Sequence, residues 1–591
     1  MQVTRTFDLL DRLISDFNRK DILNAKTEGK WIGYSTEEYY KLSREFAVGL
    51  MVLGYKKGDK VATISNNRPE WNIMDMGMAM IGVIHVPVFT SLSSNEFQYV
   101  LSHSDAKAVF VSDEGLKQKI YPVFESLDSI KSFYSIDQID HTANWKEIVE
   151  LGSQNHDKYV DELDAIMLTI QPDDCATLIY TSGTTGLSKG VMLSHKNLVH
   201  NFIEGSKVFD LGPEDRYLSI LPLCHVGGRM GNYQTQYSGA SIYYAESMAT
   251  IAANMKEVNA DGFDTVPRIL EKIYDNVIAK GNKLSGTKKK IFFWAVDLGL
   301  KYKLPDESSW WYKRKLKIAD KLIFSKWREA LGGKMRLAGC GGASLQSRLE
   351  RIFWAAGIRI INMYGLTETS PIVTMNRQEA PGVMLGSVGA LIEGVELKIA
   401  DDGEILCRGD NVMLGYYKDE KQTSEVIDED GWFHTGDIGK LEKEEYLWVT
   451  DRKKEIFKLS SGKYVAPQVI EGKFKESDYI EQLMVVGDAQ KFAGAIVTPN
   501  LGLLRSWAKE NNHQFNNDQS LIEKSEIVQL FNKEIESLNA SLGQAEKIVR
   551  YKLVKDEWGP ETGELSPTLK LRRNFIAEKY QVQIDELYRK N

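Results

Sequence analysis

Cysteine is scarce in this chain. Cys175, Cys224, Cys340 and Cys407 are spread over 591 residues, with no CxxC pair and no Cys/His spacing that suits a metal. That excludes a disulfide scaffold and implies free buried thiols in a reducing compartment. Long apolar runs are lacking too. The most apolar stretch, MAMIGVIHVPVF (78–89), is too short to span a bilayer and contains Pro87. The first residues, MQVTRTFDLLDRLISDF, carry charges throughout and have no signal-peptide core. The expectation is a cytoplasmic protein. There is no excess of positive charge: the formal net charge is −8, which argues against a nucleic-acid partner. No internal repeat or low-complexity segment stands out.

What is present is an ordinary globular composition, 43% hydrophobic and 26% charged, long enough for several units and a large core. Between residues 31 and 115 helical and strand patterns alternate, which implies an α/β architecture. STEEYYKLSREFAVGLMVLG opens with a cap at Ser35, has Glu38 placed for a capping box and ends at Gly54. KVATIS, AKAVFVS and ATLIY read as short buried strands. Residues 380–450 change character: VELKI, GEILCRG and EYLWVT, separated by glycine and acidic turns, suggest a small sheet-rich unit. A boundary is expected near Asp451.

Directly after ATLI comes YTSGTTGLSKG (180–190). Glycines there free main-chain N–H groups to face an anion, and Ser, Thr and Lys189 add donors and charge. The following KNLVHNFIEGSKVF reads as a helix, so the expected order is strand, loop, helix, an arrangement that holds phosphate. The P-loop pattern is absent, because Gly183 and Gly186 are three apart and Gly190 follows Lys189. Composition alone leaves a polar surface loop as the alternative. In NMYGLTETSP (362–371), Glu368 is a candidate Mg²⁺ ligand and Tyr364 a base-stacking ring; a turn capped at Thr367 is the alternative. In GWFHTGDIG (431–439), Asp437 is a candidate acceptor for ribose hydroxyls, with a hairpin turn as the alternative.

Taken together and in order, YTSGTTGLSKG, YGLTE, GWFHTGD and DRKKE resemble the adenylate-forming (AMP-binding) superfamily over roughly residues 30 to 575. LPLCHVGGRM (221–230), FDTVPRILEKIYD (263–275), LGGKMRLAGCGGASL (331–345) and ETGELSPTLKLRR (561–573) resemble its long-chain fatty-acid CoA ligases most. The resemblance implies a large multilobed N-terminal domain (1–450) of two α/β sandwich units plus a small β-rich one. It also implies a hinge (451–454) and a small mobile α+β C-terminal domain (455–591). ATP, Mg²⁺ and coenzyme A are the implied cofactors, and a long-chain fatty acid the substrate.

Residue by residue, the resemblance places Thr181, Ser182, Gly183, Thr184, Thr185, Gly186 and Lys189 on the ATP β- and γ-phosphates. Gly341, Gly342 and Ala343, within CGGAS, line the adenine and substrate; Cys340 and Ser344 depart from the usual serine and proline. Tyr364 and Gly365 belong to the adenine-stacking segment, and Thr367 contacts phosphate. Glu368, with Thr184, holds Mg²⁺, and Asp437 and Arg452 hold the ribose. Lys454 is the hinge, and Lys570 is the lysine that the small domain delivers to adenylation. The wider family often has glycine before that lysine; here it is Leu569. His225 lies beside the substrate carboxylate, or is a satisfied core histidine. Gly227 and Gly228, which follow it, are expected to leave room for the acyl chain.

Two other functions remain open on the sequence: an acyl-AMP ligase that loads a carrier-protein thiol, and a catalytically silent nucleotide-binding scaffold. One feature lies outside the motifs. Residues 280–336 hold sixteen Lys/Arg against five Asp/Glu, a net of +11 that leaves −19 for the remainder. Leu316, Ala319, Ile323, Trp327 and Ala330 fall on one helical face there, preceded by Trp310 and Trp311. Either this is a solvated face with the Trp and Leu side chains in the core, or it is a peripheral contact with anionic lipid.

Overall fold

The computed structural model describes residues 2–181, 188–379, 381–566 and 569–589. Local signals set the first helices. Thr36–Val52 starts on a capping box between Ser35 and Glu38, and Trp145–Thr169 starts on one between Asn144 and Glu147. These two helices touch backbone to backbone: a Cβ on Gly152 would lie 1.7 Å from the Glu45 carbonyl oxygen, so only glycine permits the contact.

They cover an eight-stranded sheet. Its central strands, Lys60–Ile64, Ile84–Val88, Ala106–Val111 and Cys175–Thr181, run parallel. They are almost wholly buried, as parallel strands covered on both faces must be. A nine-stranded sheet follows, with Arg216–Ser219, Ser241–Tyr244, Gly262–Thr265, Leu337–Cys340 and Arg359–Gly365 parallel at its centre. A four-stranded antiparallel sheet, Val395–Ile399 to Tyr446–Arg452, realises the expected β-rich unit. The C-terminal part carries a three-stranded sheet of Ile480–Val486, Ala493–Pro499 and Ile548–Leu553, with its own apolar core around Phe474 and Phe531. The architecture is therefore α/β, with a large multilobed body and a smaller α+β unit.

One local expectation fails. The glycine-rich segment does not lead from strand to helix. It joins Cys175–Thr181 to an antiparallel return strand, Lys189–Ser194, in which Lys189 pairs with Thr181. The helix His195–Phe209 begins only after that strand, capped by Ser194. The described residues that flank the segment are thus paired strands, and the helix follows one strand later. Pattern reading missed the return strand because KGVMLS is as short as a helix lead-in. Among the described residues no helix is long and apolar enough to cross a membrane.

Candidate functional site

The candidate residues leave the carboxyl ends of parallel strands in both sheets, where open α/β sheets bind ligands. Thr181 ends one such strand, Cys340 precedes Gly341, Gly342 and Ala343, and Tyr364 and Gly365 end another. Ser182, Gly183, Thr184, Thr185 and Gly186 lie outside the described residues.

Two bonded groups meet here. In the first, Tyr364 donates its hydroxyl to Asp437 Oδ2 at 2.8 Å, and Arg452 donates Nε to Asp437 Oδ1 at 2.9 Å. Burial, then the Asp437 charge, push the Tyr364 pKa far up, so its hydroxyl stays a donor. Asp437 sits inside the strand Phe433–Glu442, paired in register with Arg452; the hairpin-turn alternative is wrong. Bonds between adjacent strands hold Asp437 and Arg452 as a unit. In the second group, the Tyr416 hydroxyl donates to Glu368 Oε1 at 2.9 Å, and the Lys189 ammonium lies 4.5 Å from the Tyr416 ring centre. Glu368 and Thr367 form a short 3₁₀ turn, Thr367–Thr369. Gly365 before it is obligatory, since a Cβ there would lie 1.6 Å from the Pro371 carbonyl oxygen.

Lys570 joins the two groups. It arrives from the C-terminal unit and stands within electrostatic reach of Arg452, Asp437 and Glu368, and its charge also acts on His225. The protein walls around it and the Arg452 guanidinium lower its pKa, against Asp437 and Glu368. The residue itself is exposed. Leu569 takes φ +62°, the left-handed region in which glycine is unstrained. A glycine before the lysine would relieve that strain. Arg573 anchors the segment with bonds of 2.7 Å to Glu455 and of 2.8 and 2.7 Å to the two Glu471 oxygens.

His225 caps the helix Val226–Tyr237, its Nδ1 accepting the Gly227 amide at 3.1 Å. The proton of the neutral ring is then on Nε2. Enclosure, then Lys570, lower its pKa to about 4. At Gly228 the expected free space is taken: a Cβ there would lie 2.4 Å from the Pro222 carbonyl oxygen, so the helix packs tightly on the preceding loop, whereas a Cβ on Gly227 would first meet the His225 ring, at 3.2 Å. The same helix presents Arg229, buried with Asp75 in an ion pair and donating Nη1 to Thr177 at 2.7 Å. This ties the helix behind His225 to the strand that feeds the glycine-rich loop. Lys454 stands apart, exposed in a turn just after Arg452. Sequence reading missed Tyr416 and Arg573. Tyr416 reaches Glu368 only because Gly415–Tyr416 pairs with Met192 and Val191, a pairing over more than two hundred residues that leaves no local signal.

A family model described as AMP-binding enzyme matches residues 15–417, and one described as AMP-binding enzyme C-terminal domain matches 454–591. The chain belongs to the AMP-binding enzyme family. This AMP-binding enzyme is 32% identical over 572 residues to the long-chain-fatty-acid–CoA ligase FadD15 of Mycobacterium tuberculosis, covering 95% of this chain and 93% of that one. It is 30% identical over 603 residues to the long-chain-fatty-acid–CoA ligase ACSBG1 of Homo sapiens, covering 96% and 83%. Its fold is that of the anthranilate CoA ligase AuaEII solved with anthranoyl-AMP, at a TM-score of 0.73 and 18% identity with 98% of both chains covered.

Proposed function

We propose that this enzyme joins a long-chain fatty acid to ATP to form an acyl-adenylate and pyrophosphate, then passes the acyl group to coenzyme A, releasing AMP. Family membership and the two curated ligases, each matched over most of its length, support the adenylate chemistry and the choice of substrate. The single observation that carries the reading is the convergence of Lys570, from the far end of the chain, on Glu368, Asp437, Arg452 and His225.

A carboxylate is a weak nucleophile and repels a triphosphate, so the site has to neutralise both anions. Asp437 and Arg452 hold the ribose, Tyr364 and Gly341–Ala343 the adenine, and Thr181 to Gly186 with Lys189 the phosphate end. Glu368 offers one carboxylate with Oε1 already taken by Tyr416. A single protein carboxylate suits a Mg²⁺ held mainly by phosphate and water, and among the described residues no three ligands cluster into a richer site. Glu368, with Thr184, would hold Mg²⁺, which would supply charge neutralisation on the phosphates. Lys570 stabilises the charge that builds on the α-phosphate as the fatty-acid oxygen attacks and pyrophosphate leaves. Neutral His225 donates from Nε2 to the acyl carboxylate without adding a second cation beside Lys570. Rotation of 455–591 about Lys454 then withdraws Lys570 and admits the CoA thiol, which attacks the acyl carbonyl and expels AMP. The enzyme works in the cytoplasm and touches the membrane surface through its basic segment 280–336.

Lys570→Ala tests the reading. Pyrophosphate exchange with a long-chain acid falls about 10²–10³-fold, the worth of one preorganised charge donor, while CoA thioester formation from synthetic acyl-AMP stays within a few-fold. Equal loss of both half-reactions removes the assigned role of Lys570. Failure of the wild type to release AMP with any long-chain acid and CoA removes the function.

A further inference from the structure

The helical segment that starts at Trp310 has two apolar sides, and folding uses only one. Ala319 and Trp327 lie in the core of the second sheet, with Leu316 and Ile323 packed against them, and Tyr312 donates its hydroxyl to the Leu298 carbonyl at 3.0 Å. The expected face is thus a core face, except that Ala330 at its end is exposed. The tryptophans expected beside it are not in the core. Trp310 is 59% and Trp311 67% exposed, and Ile318 and Leu322 are 53% and 42% exposed. Trp311 and Ile318, seven residues apart on the α-helix Trp310–Ala319, and Leu322, in the π-helical turn Asp320–Phe324 that continues it, form one outward line, and Trp310 extends it edge-on to Trp311, ring centres 4.6 Å apart.

Cations flank this line on both sides. Arg314 and Lys321 fall on one flank and Lys315 on the other by the same helical count, and all three are exposed. The guanidinium of Arg314 lies 4.9 Å from the Trp310 ring centre. The ion pairs nearby use other residues, Lys301 with Asp297 and Arg328 with Asp320. Among the described residues Lys313, Arg314, Lys315, Lys317 and Lys321 form no ion pair, which leaves their charge for an outside partner.

We infer that the line Trp311–Ile318–Leu322, with Trp310 and its flanking cations, is where the protein lies on an anionic lipid bilayer. The inference deepens the membrane contact in the reading above and is independent of the ligase chemistry. Indole rings beside aliphatic side chains, rimmed by long basic ones, match a boundary that is apolar a few ångströms below an anionic surface. A nucleic acid would match the cations and leave Ile318 and Leu322 unused. A two-fold copy of this chain would bring a +11 segment against its own image, which like-charge repulsion opposes.

The test uses the full-length protein and vesicles of phosphatidylcholine, alone or mixed with phosphatidylglycerol, without ATP. We expect cosedimentation with the mixed vesicles at low salt, its loss at high salt and little with phosphatidylcholine alone. Tryptophan emission shifts to the blue on binding. K315E with K321E weakens partitioning at least about 25-fold, at about fivefold per cation lost. W310S with W311S weakens it about tenfold and removes the emission shift. Both doubles retain wild-type circular dichroism and wild-type turnover of a detergent-dispersed acid, which separates this inference from the ligase assignment. Equal binding to both vesicle types, no binding at low salt, or unchanged binding by either double variant overturns it. So does a dimer in solution that W310S with W311S dissolves, since the line would then be a self-interface.

Discussion

Asp264 offers a prediction with a computable size. It sits in the strand Gly262–Thr265, 4% exposed. Tyr217 donates to its Oδ2 at 2.8 Å, and Oδ1 has no hydrogen-bond partner among the described residues. Gly231 and Gly339 crowd it: a Cβ on either would lie 1.8 or 2.3 Å from its oxygens. Burial raises its pKa from 3.8 to about 7, against the Tyr217 hydrogen bond. The folded state therefore holds a proton that the unfolded state gives up between those two values. Stability then falls as pH rises through that window and levels off above about pH 7. The full term is roughly 4 kcal/mol at 1.36 kcal/mol per pKa unit, of which roughly 3 kcal/mol falls between about pH 5 and pH 8. Asp264→Asn keeps the shape and removes the proton. Urea unfolding of both proteins, read at the transition of the large N-terminal part, should show the stability difference move towards Asn by about that 3 kcal/mol over that range. The absolute offset differs, because an amide leaves a buried N–H to satisfy at about 1–3 kcal/mol, but that offset does not change with pH. Parallel profiles for the two proteins would refute the buried-acid argument.

Three further outcomes follow from single contacts. Leu569→Ala should be less stable than Leu569→Gly by about 1 kcal/mol, reversing the usual order, because both lose the same packing and only glycine relaxes φ +62°; thermal unfolding of the pair decides, and alanine equal to glycine would deny the strain. Arg229→Met should cost about 3–5 kcal/mol by stranding Asp75, and the double variant with Asp75→Asn should recover part of it; an effect below about 1 kcal/mol would mean the pair is not isolated from water. Arg268, within the first family-model segment, pairs with Glu481 in the second. Arg268→Ala and Glu481→Ala should each slow adenylation about fivefold, the worth of a partly exposed ion pair, and the double variant no further. Additive losses would show that the pair does not hold the two parts together.

The expectations that held are those written in short windows. The capping box at Ser35 and Glu38, the buried strands KVATIS and AKAVFVS and the β-rich stretch after residue 380 are signalled by neighbours a few residues apart, although the strands themselves form only by pairing with distant ones. Four short motifs in order also sufficed for the family, because glycine spacing and the order of polar residue types are linear patterns. The candidate site was legible as a set of residues and illegible as a shape.

Contacts between distant segments decided the rest. The return strand Lys189–Ser194 is defined by its pairing with Cys175–Thr181 and Gly415–Tyr416. Asp437 reads as a turn residue between glycines until Arg452 pairs with it across the sheet. Gly228, free space on paper, is filled by a carbonyl of its own loop. Trp310 and Trp311 look like core until Leu316 and Trp327 have taken the inward face of their helix. A linear pattern specifies which side chains are available and how often they recur. Which of them meet, and which are left facing water, depends on close packing among segments hundreds of residues apart, and no short window contains that information.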